Sequence, residues 1–326
     1  MPDEFLMTVR AAAGGQFTAD VGPTRFLRVP VGVVPALAHE QSSASWLADV
    51  QAAGAWSTPG PAPQPRGDIV FVVHGYNMSE AEVIDRHRRI RLGLEECGFL
   101  GVVVSYDWPC GNNALAYLED RHRAKQTALR LVSDGIAHLS EKQAPNCPIN
   151  VHVLGHSTGA YVIREAFDDA DDTRLRNSAW SVSQVIFAAG DVSSDSMSEG
   201  NPGAESVYKH CVRVTNYSNR HDSVLDLSNV KRLGVASRVG RIGLPNDAPT
   251  KAINVECSTY YETLDSSPIV QAADQPMGTV GAPSHSWYFG NRVFNRDLFS
   301  TIIGVDRHSM TTREVGADGK VTLKRP

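Results

Sequence analysis

Apolar residues along the chain fall into two kinds of pattern. Short continuous runs, Ile69-Val70-Phe71-Val72-Val73 and Val102-Val103-Val104, have the β-branched character of strands buried on both faces. Between them, Ser79–Cys97 reads as a charged helix, with Ser79 at its N-terminus and Glu82 three residues later as a capping pair. Tyr117–Ser140 reads as one long helix, with Leu118, Leu129, Val132, Ile136 and Leu139 near one face. Ile149–Leu154 is the next predicted strand and Ala160–Ala170 the next helix, its Ala160, Ile163, Ala166 and Phe167 at helical spacing. Val185–Ala189, His210–Thr215 and Ile253–Val255 complete the strand candidates. Strands alternating with helices predict an α/β fold, a mostly parallel twisted sheet with helices on both faces.

Three stretches break the alternation. Residues 1–66 contain a β-like patch at Phe26–Val31, a helical stretch at Ser45–Ala53 and then STPGPAPQPRG, whose four prolines and two glycines predict an irregular connector. Residues 191–208 are rich in Ser, Gly, Asp and Asn, and residues 231–250 set Gly234, Gly240 and Gly243 among Arg232, Arg238 and Arg241. Both are expected to be loops rimming a site, since long loops in such domains tend to carry function. The whole chain, 1–326, is expected to form one domain.

Composition narrows the class. The 326 residues are 42% hydrophobic and 21% charged, ordinary for a folded protein. With 31 basic and 36 acidic residues the net charge is −5, which disfavours a nucleic-acid binder. The basic run Arg86-His87-Arg88-Arg89-Ile90-Arg91 is flanked by Glu80, Glu82, Asp85, Glu95 and Glu96, and is expected to be a solvated helix face. No apolar run reaches the roughly 18 residues of a membrane span. The first residues lack an apolar signal core, so a cytoplasmic location is expected. Five scattered cysteines without a CxxC pair indicate neither a disulfide framework nor a zinc site. Phosphate-loop, metalloprotease and dinucleotide fingerprints are missing from the sequence, and no cofactor or metal is implied.

The chemistry concentrates at Gly155-His156-Ser157-Thr158-Gly159, between a predicted strand and a predicted helix. G-x-S-x-G alone is weak. In this context it reads as a sharp turn that exposes the Ser157 hydroxyl at the strand end, where helix amides meet a developing oxyanion. Upstream, His74-Gly75-Tyr76-Asn77 follows the first deeply buried strand, the position that supplies one oxyanion-hole amide. The backbone N–H groups of Tyr76 and Thr158 are the candidate donors. His74 and His156 are placed at the substrate pocket, with His74 more readily read as a buried imidazole that braces the loop. Trp108 is either pocket-lining or a buried aromatic.

A nucleophilic serine needs a histidine base and an orienting carboxylate, in chain order Ser, acid, His for this topology. Of the eleven histidines, His285 in Pro283-Ser284-His285-Ser286-Trp287-Tyr288 follows the last strand candidate, where a loop can return over the serine. His210 begins a strand, His221 adjoins its own acid, and His308 lies in the polar C-terminal region. Asp222, after the strand ending near Thr215, is preferred as acid, or else as the cap of a short helix. Asp191 is its rival, and Asp195 and Asp226 are weaker candidates.

HGYN, YDWP at Tyr106–Pro109, GHSTGA, YSNRHDSVL, RLGVASRVG and HSWY occur in that order. Together they resemble a bacterial branch of the α/β-hydrolase superfamily long catalogued as of unknown function, over about residues 24–300. The resemblance implies Ser157 as nucleophile, Asp222 as acid and His285 as base. Gly190, where a proline is expected before Asp191, leaves the role of that aspartate open. The implied activity is hydrolysis of a small-molecule carboxylic ester through an acyl-serine. The polar rim segments favour short to medium acyl chains. A lipase or acyltransferase would use the same triad, and a non-catalytic binding module would have lost one of its members.

Overall fold

The structure is a computed structural model that describes residues 3–58, 61–110, 117–140, 148–173, 179–230 and 236–326. Its strands are β1 (Glu4–Ala13), β2 (Gln16–Val29), β3 (Glu40–Gln41), β4 (Ala55–Ser57), β5 (Pro65–Val73), β6 (Val102–Asp107), β7 (Ile149–His156), β8 (Val182–Ala188), β9 (Cys211–Ser218), β10 (Ala252–Glu256), β11 (Arg313–Val315) and β12 (Val321–Leu323). They form one sheet in the order β11-β12-β10-β9-β8-β7-β5-β6-β1-β2-β3, with β4 paired to β5. From β1 across to β12 every neighbouring pair is parallel. Antiparallel strands finish both edges. The expected α/β architecture is therefore present.

The interior runs of β5, β6 and β7 are buried on both faces, as their unbroken apolar sequence requires. One core layer contains Trp46, Phe71, Val104, Ile163 and Phe167, and the other Val70, Leu154, Tyr217, Trp287 and Phe294. The helix Glu80–Glu96 starts with the expected capping box: Ser79 Oγ accepts the Glu82 N–H, and the Glu82 carboxylate accepts the Ser79 N–H.

Several expectations need correction. β1, a ten-residue strand paired on both sides by β6 and β2, and the short hairpin β11–β12 went unpredicted, because both gain stability from pairing with distant strands more than from their own pattern. The proline-rich connector follows β4, and its last residues, Pro65–Gly67, already pair with β4 as the start of β5. Tyr117–Ser140 is not one regular helix, since its turns widen to π geometry over Leu131–Ile136. There Gly135 packs so closely that a Cβ would lie 3.1 Å from Met7 Sδ. Residues 191–208 are not simply a loop. Pro202–Lys209 is a helix capped by Asn201, with proline in its first turn, and Ala204, Val207 and Tyr208 turn into the core. Residues 231–235 of the second expected loop lie outside the described residues. Val239–Ile242 is a helical turn, buried at Val239 and Gly240, whose Gly240 N–H donates to the Gly190 carbonyl, and whose Gly240 carbonyl accepts the Asn219 N–H. A Cβ on Gly240 would sit 2.2 Å from the Ala189 carbonyl carbon, so the strap is pressed onto the sheet's edge.

Among the described residues no helix is long and apolar enough to cross a membrane.

Candidate active site

The G-x-S-x-G segment is the junction of β7 with the helix Thr158–Asp172. Ser157 sits there with φ 56° and ψ −124°, a conformation a side-chain-bearing residue adopts only when its surroundings hold it. The holding contacts are visible. The Ser157 N–H donates to the Ala188 carbonyl at 3.1 Å, and the Ser157 carbonyl accepts the Asp191 N–H at 2.9 Å. A Cβ on Gly159 would lie 2.1 Å from the Val73 carbonyl oxygen, so only glycine permits this helix to approach β5. Among the described residues, the non-glycine residues with positive φ are Asn77, Ser157 and Ala189. All three lie at or just past the C-terminal ends of β5, β7 and β8, so the backbone strain gathers around the serine.

His285 lies in the short helical turn Pro283–Ser286. Its Nδ1–H donates to Asp222 Oδ2 at 2.7 Å. The other carboxylate oxygen of Asp222 accepts the N–H groups of Val224 and Leu225, at 3.1 and 2.9 Å, at the start of the helix Ser223–Val230. One carboxylate oxygen of Asp222 thus caps that helix while the other bonds the His285 imidazole. Asn219 ties the two loops together, its Nδ2 donating to the Ser284 carbonyl at 2.9 Å and its Oδ1 accepting the His221 N–H. Trp287 and Tyr288, stacked at 4.1 Å and buried, anchor the His285 turn in the core.

His156 connects this turn to the serine. Its ring lies 4.7 Å from the His285 ring, and its Nε2–H donates to the His285 carbonyl at 2.9 Å. Burial, reinforced by the charges of His285 and Arg86, drives its pKa well below the ordinary value, so the ring is neutral. Its free Nδ1 accepts Arg86 Nη1 at 3.3 Å. The Arg86 guanidinium also lies 4.7 Å over the Phe289 ring, and burial lowers its pKa to about 10. The run Arg86–Arg91, expected as a solvated face, is an anchoring face instead. Arg88 bonds both oxygens of the buried Glu4, and His87 is fully buried.

The loop His74–Met78 crosses in front of Ser157, close enough that a Cβ on Gly75 would lie 3.4 Å from Ser157 Oγ. His74 Nδ1–H donates to the Gly75 carbonyl at 2.7 Å, and its Nε2 lies 3.2 Å from both Asp107 Oδ1 and the Trp108 backbone nitrogen. Trp108 stacks on the His74 ring, and its indole N–H donates to the His74 carbonyl at 2.8 Å. His74, Trp108 and His156 are thus buried, and their polar atoms bond to protein groups that position the loops.

Sequence reasoning missed the pair beneath this loop. Arg10 of β1 donates through Nε to Asp107 at 2.9 Å and through Nη2 to the Met78 carbonyl at 2.8 Å. Burial pushes the Asp107 pKa up, but Arg10 and the bonds from His74 and Thr8 outweigh it and hold the value at about 2. A charged residue in the middle of a buried strand was the available signal.

Asp191 is buried at the end of β8, 3.2 Å from Arg238 Nε. Burial lifts its pKa to about 6, against the charges of Arg238, Arg121 and His285.

Residues 62–265 match the family described as alpha/beta hydrolase of unknown function (DUF900), and the chain belongs to that family. No match is found among curated proteins. Among solved structures, the chain is similar to phospholipase PlaB from Legionella pneumophila in complex with thio-NAD, at 16% identity and a TM-score of 0.28 over 53% of this chain and 43% of that one. It therefore spans less than half of the phospholipase's length. It is also similar to a cutinase-like protein from Cryptococcus sp., at 13% identity and TM-score 0.33 over 76% and 98% of the two chains. An esterase from Pyrobaculum calidifontis matches at 14% identity and TM-score 0.32 over 78% and 87%.

Proposed function

We propose that this chain is a serine carboxylic-ester hydrolase with Ser157 as nucleophile, His285 as general base and Asp222 as the orienting acid. The observation that carries the reading is the 2.7 Å bond from His285 Nδ1 to Asp222, on a loop clamped through His156 to the strained Ser157 turn. With its proton held at Nδ1, His285 presents Nε2 to accept the Ser157 proton as Oγ attacks the ester carbonyl. The N–H groups of Tyr76 and Thr158 receive the oxyanion. Collapse expels the alcohol, which takes the proton from His285, and the acyl-serine is hydrolysed by water activated at the same nitrogen.

Short to medium acyl chains are the proposed substrates. The apolar residues of the 191–208 rim, Val192, Met197, Val207 and Tyr208, all turn into the core, which leaves little greasy surface to seek a lipid interface. A single catalytic domain is proposed too, because one sheet takes strands from both ends of the chain. A chain-length series of p-nitrophenyl esters tests the function. Highest kcat/KM on short to medium esters is expected, with no jump in rate above the solubility limit. A sharp rise on emulsified long-chain triglyceride would move the protein to the lipases.

A further inference from the structure

We propose that Tyr161, Arg121, Arg164 and Arg238 form a subsite beside Ser157 for an anionic group, a carboxylate or phosphate, carried by the ester substrate. The proposal rests on the reading of Ser157 as nucleophile.

Tyr161 lies four residues beyond Ser157, one turn along the helix that the serine begins, and Arg164 and Glu165 extend the same face. The Arg121 guanidinium sits 3.5 Å over the Tyr161 ring and that of Arg164 sits 5.3 Å from it. Arg238 reaches this neighbourhood from the strap, beside Asp191, whose own N–H is bonded to the Ser157 carbonyl. Its pKa is lowered by burial and by the charges of Arg121 and Arg164, so the three cations feel one another.

Arg121 stands apart from the local ion pairs. Glu165 takes Arg164 at 2.7 Å and Lys125 at 3.3 Å, and Asp191 faces Arg238. Among the described residues Arg121 has no carboxylate within ion-pair distance. Donors are left over as well. Among the described residues Arg121 Nη1 and Arg164 Nε are buried without a hydrogen-bond acceptor, while Arg238, 4% exposed, has its Nε beside Asp191. Each buried donor left unmet carries an uncompensated desolvation cost, a cost a protein sustains where something else supplies the acceptor. A guanidinium matches an oxyanion with two or three oxygens, which its planar fork binds in bidentate fashion. The cation–π contact with Tyr161 restrains Arg121 before the ligand arrives, which reduces the ordering cost of binding.

Hydrolysis of p-nitrophenyl hydrogen succinate is compared with that of p-nitrophenyl butyrate, which has the same acyl length and no charge. The ratio of kcat/KM, anionic over neutral, should favour the anionic ester. It should fall by about ten- to hundredfold in Arg121→Gln, the size of a charge-assisted hydrogen bond. Arg121→Lys, which keeps the charge and loses the fork, should fall between. A ratio that Arg121→Gln leaves unchanged overturns the subsite. Binding is read separately by calorimetry on the Ser157→Ala protein with succinate and with inorganic phosphate, and again after adding Arg121→Gln. Binding of either anion that Arg121→Gln weakens supports the subsite, and the anion bound more tightly identifies the group. Binding of neither overturns it. A wild type that cleaves neither ester yet binds an anion in this way separates failure of the catalytic reading from failure of the subsite.

Discussion

His156 Nε2–H donates to the backbone carbonyl of His285 across 2.9 Å, while Arg86 occupies the opposite nitrogen of the same ring at 3.3 Å. A neutral imidazole has one donor and one acceptor, so the arginine fixes which nitrogen faces His285. Arg86 is therefore read as a positioning residue. Arg86→Met should lower kcat by roughly ten- to hundredfold, the cost of a small misplacement of a reacting group. KM should stay near the wild-type value in steady-state kinetics on a soluble ester. A change in KM alone would show that Arg86 acts on substrate binding instead.

Two buried aspartates compete for the acid's role, and Asp222 bonds His285 Nδ1 at 2.7 Å. Asp222→Asn should reduce kcat by about 10⁴-fold, because the amide favours the wrong imidazole tautomer. Asp191→Asn should have a much milder effect. If Asp191→Asn proves the more damaging change, the acid is carried by β8 and not by β9.

Arg10 and Asp107 form a buried ion pair under the loop that faces Ser157. Removing one member leaves the other charge stranded, which typically costs about 3–5 kcal/mol. Arg10→Met should show a loss of that order in urea denaturation, with reduced activity as the Met78 carbonyl is released. Wild-type stability in that variant would mean that the pair does not brace the loop.

His87 gives a pH signature. It is fully buried against Ser105 Oγ, and burial, with the charges of Arg91 and Arg88, lowers its pKa to about 3. The folded value lies below the unfolded one of about 6.5, so the folded protein resists binding this proton. The contribution is fully present above pH about 6.5 and is lost as pH falls toward 3, amounting to roughly 5 kcal/mol. Replacing the imidazole by His87→Leu should remove that part of the acid sensitivity in denaturation curves taken between those pH values. Identical pH dependence in both proteins would contradict the assignment.

The elements that drive the sheet were legible because buried parallel strands write continuous apolar runs, as at Ile69–Val73. Glycines and motif order pointed to Ser157 and to its loop partners Asp222 and His285, which the structure brings into one hydrogen bond. Illegible features were those whose meaning lies in a distant partner. Arg10 pairs with a residue 97 positions away, and Arg86 with one 70 away, so neither local pattern shows its purpose. Residues 191–208 misled for the opposite reason. Their small polar residues read as loop, while Asn201-Pro202 at a helix start and the spacing of Ala204, Val207 and Tyr208 carried the contrary signal.

The central claim, that Ser157 is an activated nucleophile, is tested most directly by intact-mass and peptide-mapping analysis after treatment with a fluorophosphonate. The reagent forms a stable phosphonyl ester with an activated serine as fluoride leaves. The account predicts a single adduct on the peptide containing Ser157, formed in parallel with loss of esterase activity and missing from Ser157→Ala. An adduct on a different serine, or inactivation without any adduct at Ser157, would contradict it.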